Sequence, residues 1–484
     1  MSMALVISKP LLLWLSLTAA LGGYLAWLFF VQEDKRALLP GITTSGHHQI
    51  EQRCDLCHTE EVSPNSFTSS GVTNKSCLAC HKQDLDEASD SHPVIKFKNP
   101  ENAVFLAHID AMQCITCHTE HVEDRTHEMA VSLPKDYCAH CHDVTLENVP
   151  SHQGLAFSTC ATAGCHNYHD NQALFPRFLV EHAGEPKLHG PGHSRKLDAV
   201  YRWLQDSAKK PAPLAIAAAD APAGVEVSKS VLSDWHDTAH AQAGVNCSAC
   251  HSAEPGQAKW VQSPGAESCN ACHQIESQDF QKGKHGMRLA AGLPPMQPGL
   301  ARLPMKESAA HAQLSCISCH GAHRFDRQFA AAEACMQCHD DTHTQNFASS
   351  KHAALWQAEI GGAAAAGSGV SCATCHMPRE ERPAPSGEGS TIVVQHNQNA
   401  NLRPNEKMYR SVCMQCHGLQ FSMDALADTA VIRANFSTSA ATRHSGIEWA
   451  FESALKRGDP KAREREAAIH SPSAAPPETP NAKN

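Results

Sequence analysis

Ten copies of Cys-x-x-Cys-His run through this 484-residue chain, and they are the residues best placed to do chemistry. They are Cys54/Cys57/His58, Cys77/Cys80/His81, Cys114/Cys117/His118, Cys138/Cys141/His142, Cys247/Cys250/His251, Cys269/Cys272/His273, Cys316/Cys319/His320, Cys335/Cys338/His339, Cys372/Cys375/His376 and Cys413/Cys416/His417. At this Cys and His content chance predicts roughly 0.07 copies, and the pattern reads as c-type haem attachment. Both sulfurs become thioethers on one porphyrin edge, and the imidazole that follows folds back onto the iron. Zinc knuckles do not require a His directly after the second Cys. Disulfides would suit an oxidising compartment but leave that His unexplained.

The last two of the 22 cysteines stand in "STCATAGCHNYHD", residues 158–170. Cys160, Cys165 and His166 keep the terminal Cys-His and lengthen the spacer to Ala161–Gly164. Small residues can bulge from a porphyrin edge without a clash, and Gly164 is permissive in backbone angle. We read an eleventh site here, so eleven haem c groups are expected, or ten if these residues are a local disulfide or free thiols.

Eleven sites use 11 of the 33 histidines and leave 22. That surplus is twice what is needed to give every iron a second imidazole. Three spares recur three residues beyond a motif His: His121 in "CHTEH", His169 in "CHNYH" and His323 in "CHGAH". On a helical turn the two rings share a face, so the second reaches a neighbouring haem rather than its own. His47 or His48, His108, His240, His311 and His352 lie just upstream of motifs, and His92, His152, His285 and His396 lie between motifs. His48, His108, His240, His311 and His352 join His121, His169 and His323 as candidate iron ligands. Iron held by two imidazoles has no open position; a Met ligand would raise its potential.

The elements that must position these residues are sparse. About 33 residues per site are too few to wrap each porphyrin in its own core, so haems must serve as the apolar interior. A mainly α fold with long loops and little or no sheet follows, with short helices carrying the Cys-His ends. Residues 196–206 and 408–436 carry the better helical periodicity. Five segments are expected: 1–37, an N-terminal signal anchor or transmembrane helix; 38–200, a pentahaem block; 201–227, a Pro/Ala-rich linker; 228–450, a hexahaem block; and 451–484, a disordered tail. "REERPAPSGEGS", 379–390, reads as a surface loop.

Residues 10–31 are almost wholly apolar, enough to cross a bilayer. The apolar run continues past the small-residue site at 18–20, which favours an uncleaved anchor over a cleaved signal peptide. Because c-type haems are attached outside the cytoplasmic membrane, the haem blocks are expected in the periplasm. The net charge of −10 argues against nucleic acid and suits a basic redox partner.

With "GHHQIEQRCDLCH", "SHP" at 91–93 and "CATAGCHNYHDN", the first block resembles class III and class VII multihaem cytochromes. With its motif doublets, "SSKHAALW…VSCATCHMPR" and "CMQCHGLQFSMDALAD", the second is similar to the hydroxylamine oxidoreductase and octahaem tetrathionate reductase group. That likeness implies one open or lysine-ligated iron in an enzyme, yet every motif here ends in His. The first expectation is therefore an electron relay between a quinol-oxidising complex or soluble cytochrome and a redox partner. The alternative is an oxidoreductase for a small nitrogen or sulfur compound. The oligomeric state is not legible in the sequence.

Overall fold

The computed structural model describes residues 8–30, 35–59, 71–87, 92–103, 110–122, 132, 139–142, 148, 168–169, 176–185, 213–252, 259–384, 389–402, 408–441 and 443–470. Among them helix dominates, in many short pieces joined by loops. The chain divides into two compact units, Met1–Ala79 with Gln113–Leu133, and Cys80–Met112 with Pro134–Asn484. This division does not follow the Pro/Ala-rich stretch.

Helix Lys9–Phe30 is apolar along most of its length and largely exposed. At about 1.5 Å per residue it is about 33 Å long, the thickness of a hydrocarbon layer. Length and composition are those of a membrane span or a signal sequence.

Most described motifs are themselves helical turns, as at Cys54–Cys57, Cys114–Cys117, Cys247–His251, Cys316–His320 and Cys372–His376. One turn brings the two sulfurs to one side. In two of these helices the preceding Ser starts the turn. Ser315 and Ser371 form capping boxes with Ser318 and Thr374, each satisfying otherwise unpaired N–H groups at the helix start.

Among the described residues conventional apolar burial forms two clusters, a small one of Ala332, Phe347, Ala353 and Trp356 and a larger one. Leu179, Val180, Met408, Tyr409, Leu419, Met423, Ile447, Phe451 and Ala454 are buried together. They come from helices Pro176–His182, Met408–Ser411, Leu419–Ala427 and Ser445–Lys456. Burying each large side chain contributes about 1.5–3 kcal/mol. Helix Pro460–His470 adds Ala462 to the cluster. Residues 451–456 and 460–470 are thus helical rather than part of a polar tail; the apolar spacing of Ile447, Ala450, Phe451 and Ala454 outweighs the charged composition that follows. Residues 471–484 and 196–206 lie outside the described residues.

The segment 408–436 is helical in pieces, Met408–Ser411, Leu419–Ala427 and Thr429–Arg433, because its motif interrupts it. The expected loop at 379–390 is instead half of a hairpin. Strand Arg379–Pro383 pairs antiparallel with Ser390–Val394, with Gly389 at φ +74 in the turn. The β-branched run Thr391 to Val394 supplies the strand preference, with Ile392 and Val393 buried.

Candidate haem centres

Seven described motif histidines face a second imidazole. The pairs, as ring-centroid distances, are His142–His92 at 5.9 Å, His251–His323 at 5.8 Å, His273–His240 at 6.0 Å and His320–His396 at 6.3 Å. His339–His285, His376–His343 and His417–His352 each stand at 6.2 Å. A metal–nitrogen bond is about 2 Å and a ring nitrogen lies about 1.1 Å from its centroid, so two imidazoles on opposite sides of one ion stand roughly 6.2 Å apart. Each pair joins one motif His to one His outside the motifs. The six motif histidines of the second block are all among them.

Backbone carbonyls orient several of these rings. Nδ1 of His251 donates to Val261 O at 2.8 Å, Nδ1 of His396 to Val394 O at 2.9 Å and Nδ1 of His92 to Tyr168 O at 2.9 Å. His343 Nδ1 donates likewise to Ile432 O. Such a bond sets the tautomer and directs the Nε2 lone pair outward for a metal; at His343 that nitrogen accepts from Asn435 Nδ2 at 3.3 Å, a contact that a bound metal would displace. His240 Nδ1 is buried without a hydrogen-bond partner. Burial pushes His285, His320, His352 and His376 down to about 4, which keeps them neutral and able to ligate at neutral pH.

The hairpin positions His396 through an ionic clamp. Arg382 lies 2.8 Å from buried Asp279 and 3.0 Å from Glu380, and the strand runs directly into His396. Beside His285, a Cβ on Gly286 would meet Phe280 O at 2.3 Å, so only glycine allows this approach.

The sulfurs follow one another in chain order. Burial and the neighbouring Cys269 and Cys272 push the Cys250 thiol up. Cys269 and Cys316 share a hydrogen bond, as do Cys335 and Cys372. Burial, with Cys335 and Cys338 nearby, pushes Cys319 up to about 12. Cys413 is raised by burial and by Cys375. The shifts are not uniform: the hydrogen bond with Cys316 holds Cys269 down at about 6, and the one with Cys335 lowers Cys372. Among the described residues no three His, Cys, Asp or Glu side chains converge on one metal position.

Among the described residues several sulfur pairs depart from the simple α-helical turn: Cys272 and Cys338 lie just beyond helices Glu267–Asn270 and Glu333–Met336, which carry Cys269 and Cys335. Cys416 is not on an α-helix: its motif is a 3-10 turn, Cys413–Gln415, and Cys416 closes it at φ −131, ψ −27. Cys416 N donates to Cys413 O at 3.1 Å, and His417 N to the same carbonyl at 2.8 Å. The motif is squeezed between helices Met408–Ser411 and Leu419–Ala427, which leaves room for one tight turn. Both of its sulfur-bearing residues stay half-buried. Cys141 stands half-buried on the short helix Ala139–His142. Its expected partner Cys138 lies outside the described residues, so at this motif only Cys141 and His142 are placed and the sulfur pair itself is not. Cys77 and exposed Cys80 sit instead on a long helix, Asn74–Glu87, that runs on past His81.

Apolar side chains stand exposed beside the sulfurs. Leu78, Ile115 and Ile317 each directly follow the first cysteine of a motif, and Ile95, Met112 and Leu300 are exposed as well. Paired imidazoles at iron spacing, helical double-Cys turns and apolar side chains around them fit haem c: the Cys sulfurs would attach it as thioethers and the paired imidazoles would hold its iron.

Not every candidate ligand falls into a pair. His323 and His121 both adopt left-handed backbone, at φ 64 and 61, where the chain leaves the motif helix. This turn swings His323 toward His251. His121 Nδ1 donates to Gly41 O at 2.9 Å, and a Cβ on Gly41 would meet His121 O at 2.3 Å. Both ring nitrogens of His48 are engaged, by Ser45 O and by Gln49. Its neighbour His47 meets Glu120 at 2.6 Å; burial works against that carboxylate, but hydrogen bonds from His47 and Thr44 hold it at about 2. His169 is exposed and edge-on to Tyr168, and His311 is exposed on a loop. His58 and His81 are exposed and His118 is half-buried; none belongs to the seven pairs. Cys138, Cys160, Cys165, His166, His108 and His152 lie outside the described residues.

His343 is a ligand candidate that sequence reasoning missed. The signal was "CHDDTH", a His four residues beyond the motif His rather than three.

The class that this fold and site define is a multihaem c-type cytochrome, mainly helical, whose chemistry is electron transfer. Residues 46–143 match the family model of cytochrome c3. No curated protein and no solved structure gives a significant match.

Proposed function

We propose that the chain is a membrane-anchored undecahaem conduit that relays electrons outside the cytoplasmic membrane. The observation that carries this reading is the set of seven imidazole pairs at iron spacing. Haem c supplies a one-electron carrier at each pair. The chain's own part is to fill both axial positions, hold neighbouring sites close and exclude substrate from iron. In the second block the order is that of the motifs, from His251 through His273, His320, His339 and His376 to His417. Helix Lys9–Phe30 is the anchor, and the donor is a quinol-oxidising complex or a soluble cytochrome.

The resemblance of the second block to the hydroxylamine oxidoreductase group rests on its motifs alone, and all six of its motif histidines face a second imidazole. Carbon monoxide and nitrite binding to the reduced full chain tests the reading. A conduit leaves both unbound; uptake by one haem in the second block overturns it in favour of an oxidoreductase. Intact mass checks the count of eleven, and a value one haem short removes the site at Cys160, Cys165 and His166.

A further inference from the structure

The seven pairs differ in one respect, the angle between their rings. Six are tilted: 83° at His142–His92, 85° at His273–His240, 33° at His320–His396, 58° at His339–His285, 76° at His376–His343 and 66° at His417–His352. In the seventh, His251–His323, the ring planes are parallel within 1°.

A third ring extends that plane of order. Trp260 stacks on His251 at 4.5 Å with an interplanar angle of 7°. The backbone locks the arrangement. Ser252 and Trp260 form an antiparallel bridge, Val261 N donates to His251 O at 2.6 Å, and His251 Nδ1 donates back to Val261 O at 2.8 Å. The indole Nε1 is held by Gln262 Oε1 at 3.2 Å. Across the gap, His323 reaches its position from left-handed backbone, a conformation that is strained for a non-glycine residue. The strain at His323 and the closed loop at His251 are spent on one relative orientation.

Orientation has an electronic consequence. Each imidazole π system mixes with the iron d orbital perpendicular to its ring. Two rings with parallel planes act on the same d orbital and split it from its partner. Two crossed rings act on both and leave them nearly degenerate. We propose that Trp260 is a positioning residue that holds the ring of His251 parallel to that of His323, making this iron site electronically distinct from the six tilted ones. The inference rests on the multihaem reading, and haem content checks that reading separately from the angle.

The experiment is low-temperature electron paramagnetic resonance of the oxidised full chain, with haem content measured on the same samples. Wild type should show a rhombic low-spin ferric component with three resolved g values beside a broad large-g-maximum envelope. In W260L that component should lose one haem's worth of intensity to the envelope while the haem-to-protein ratio stays constant. W260F, which keeps a flat ring in the stack, should restore it. H323M should remove the same component, which ties it to this pair. Absence of a rhombic component in wild type overturns the proposal, as does a W260L spectrum like wild type. Loss of one haem in W260L also counts against it, because Trp260 would then retain the cofactor rather than set an angle. A haem-free wild-type chain would instead overturn the multihaem reading itself.

Discussion

Two parts of the larger unit solve the problem of an interior in opposite ways. Around helices Leu419–Ala427 and Ser445–Lys456, Leu179, Leu419, Met423, Ile447 and Phe451 bury one another with 3% exposure or less. Along the motifs from Cys247 to His376, imidazoles stop short of contact at the spacing of a metal ion, and apolar residues such as Leu300 and Ile317 remain exposed. One part stabilises itself by apolar burial; the other buries the small cluster of Ala332, Phe347, Ala353 and Trp356 and needs a porphyrin to complete its packing. The lesson is that a low aromatic content and a negative mean hydropathy need not signal disorder when the missing apolar surface is a cofactor's.

The largest test of this contrast is to make the chain without haem attachment. Limited proteolysis should then cut the segment 259–384 more than about tenfold faster than in the holoprotein, with helix Ser445–Lys456 the more protected. Equal protection of both segments would break the comparison. Next in size is Ile447→Ala, which should cost about 2–5 kcal/mol by leaving a cavity in the conventional core. Urea unfolding followed by hydrogen exchange in that helix measures the loss, and the visible haem spectrum should not move.

The reverse selectivity is expected for His343→Ala. Removing one imidazole opposite His376 should convert one haem to a carbon-monoxide-binding, high-spin form with little change in urea unfolding of the core. His343→Met should instead keep that site low-spin and raise its potential. The smallest effect concerns pH. His444 caps helix Ser445–Lys456 by accepting from Gly446 N at 3.0 Å, and burial holds it below its ordinary value of 6.5. The unfolded chain therefore takes up the proton first. The stability that depends on neutral His444 is whole above pH 6.5 and falls as pH drops below it. His444→Asn keeps an N-cap acceptor and should flatten the dependence of the urea midpoint between pH 7 and pH 5.

The motif cysteines and their histidines were legible because the chemistry is local. Two thioethers and one ligand come from five consecutive residues, so spacing alone specifies them. The local backbone was less legible: Cys413 and Cys416 share the spacing of the other motifs yet lie on a 3-10 turn, because the flanking helices confine them. The second ligands were legible as a surplus and not as assignments. His323, His240 and His352 stood near motifs, and each now faces a particular partner. His92, His285 and His396 were visible without a destination, and His343 was not singled out. Partners in the seven pairs are 33 to 76 residues apart, so no local pattern encodes them. The hairpin at 379–394 and the helix at 460–470 escaped because their composition is that of loops and tails. What decides them is burial of Ile392, Val393 and Ala462 against the rest of the fold.

The sequence by itself determined the cofactor chemistry, the scarcity of ordinary core and one apolar helix of membrane length. Covalent attachment depends on bonds between near neighbours in the chain, and a span depends on an unbroken apolar run. Tertiary structure alone decided which imidazole faces which, at what ring angle and in what order the sites follow. Those depend on where distant segments meet, through the Arg382–Asp279 pair, the Val261 carbonyl and the left-handed turn at His323.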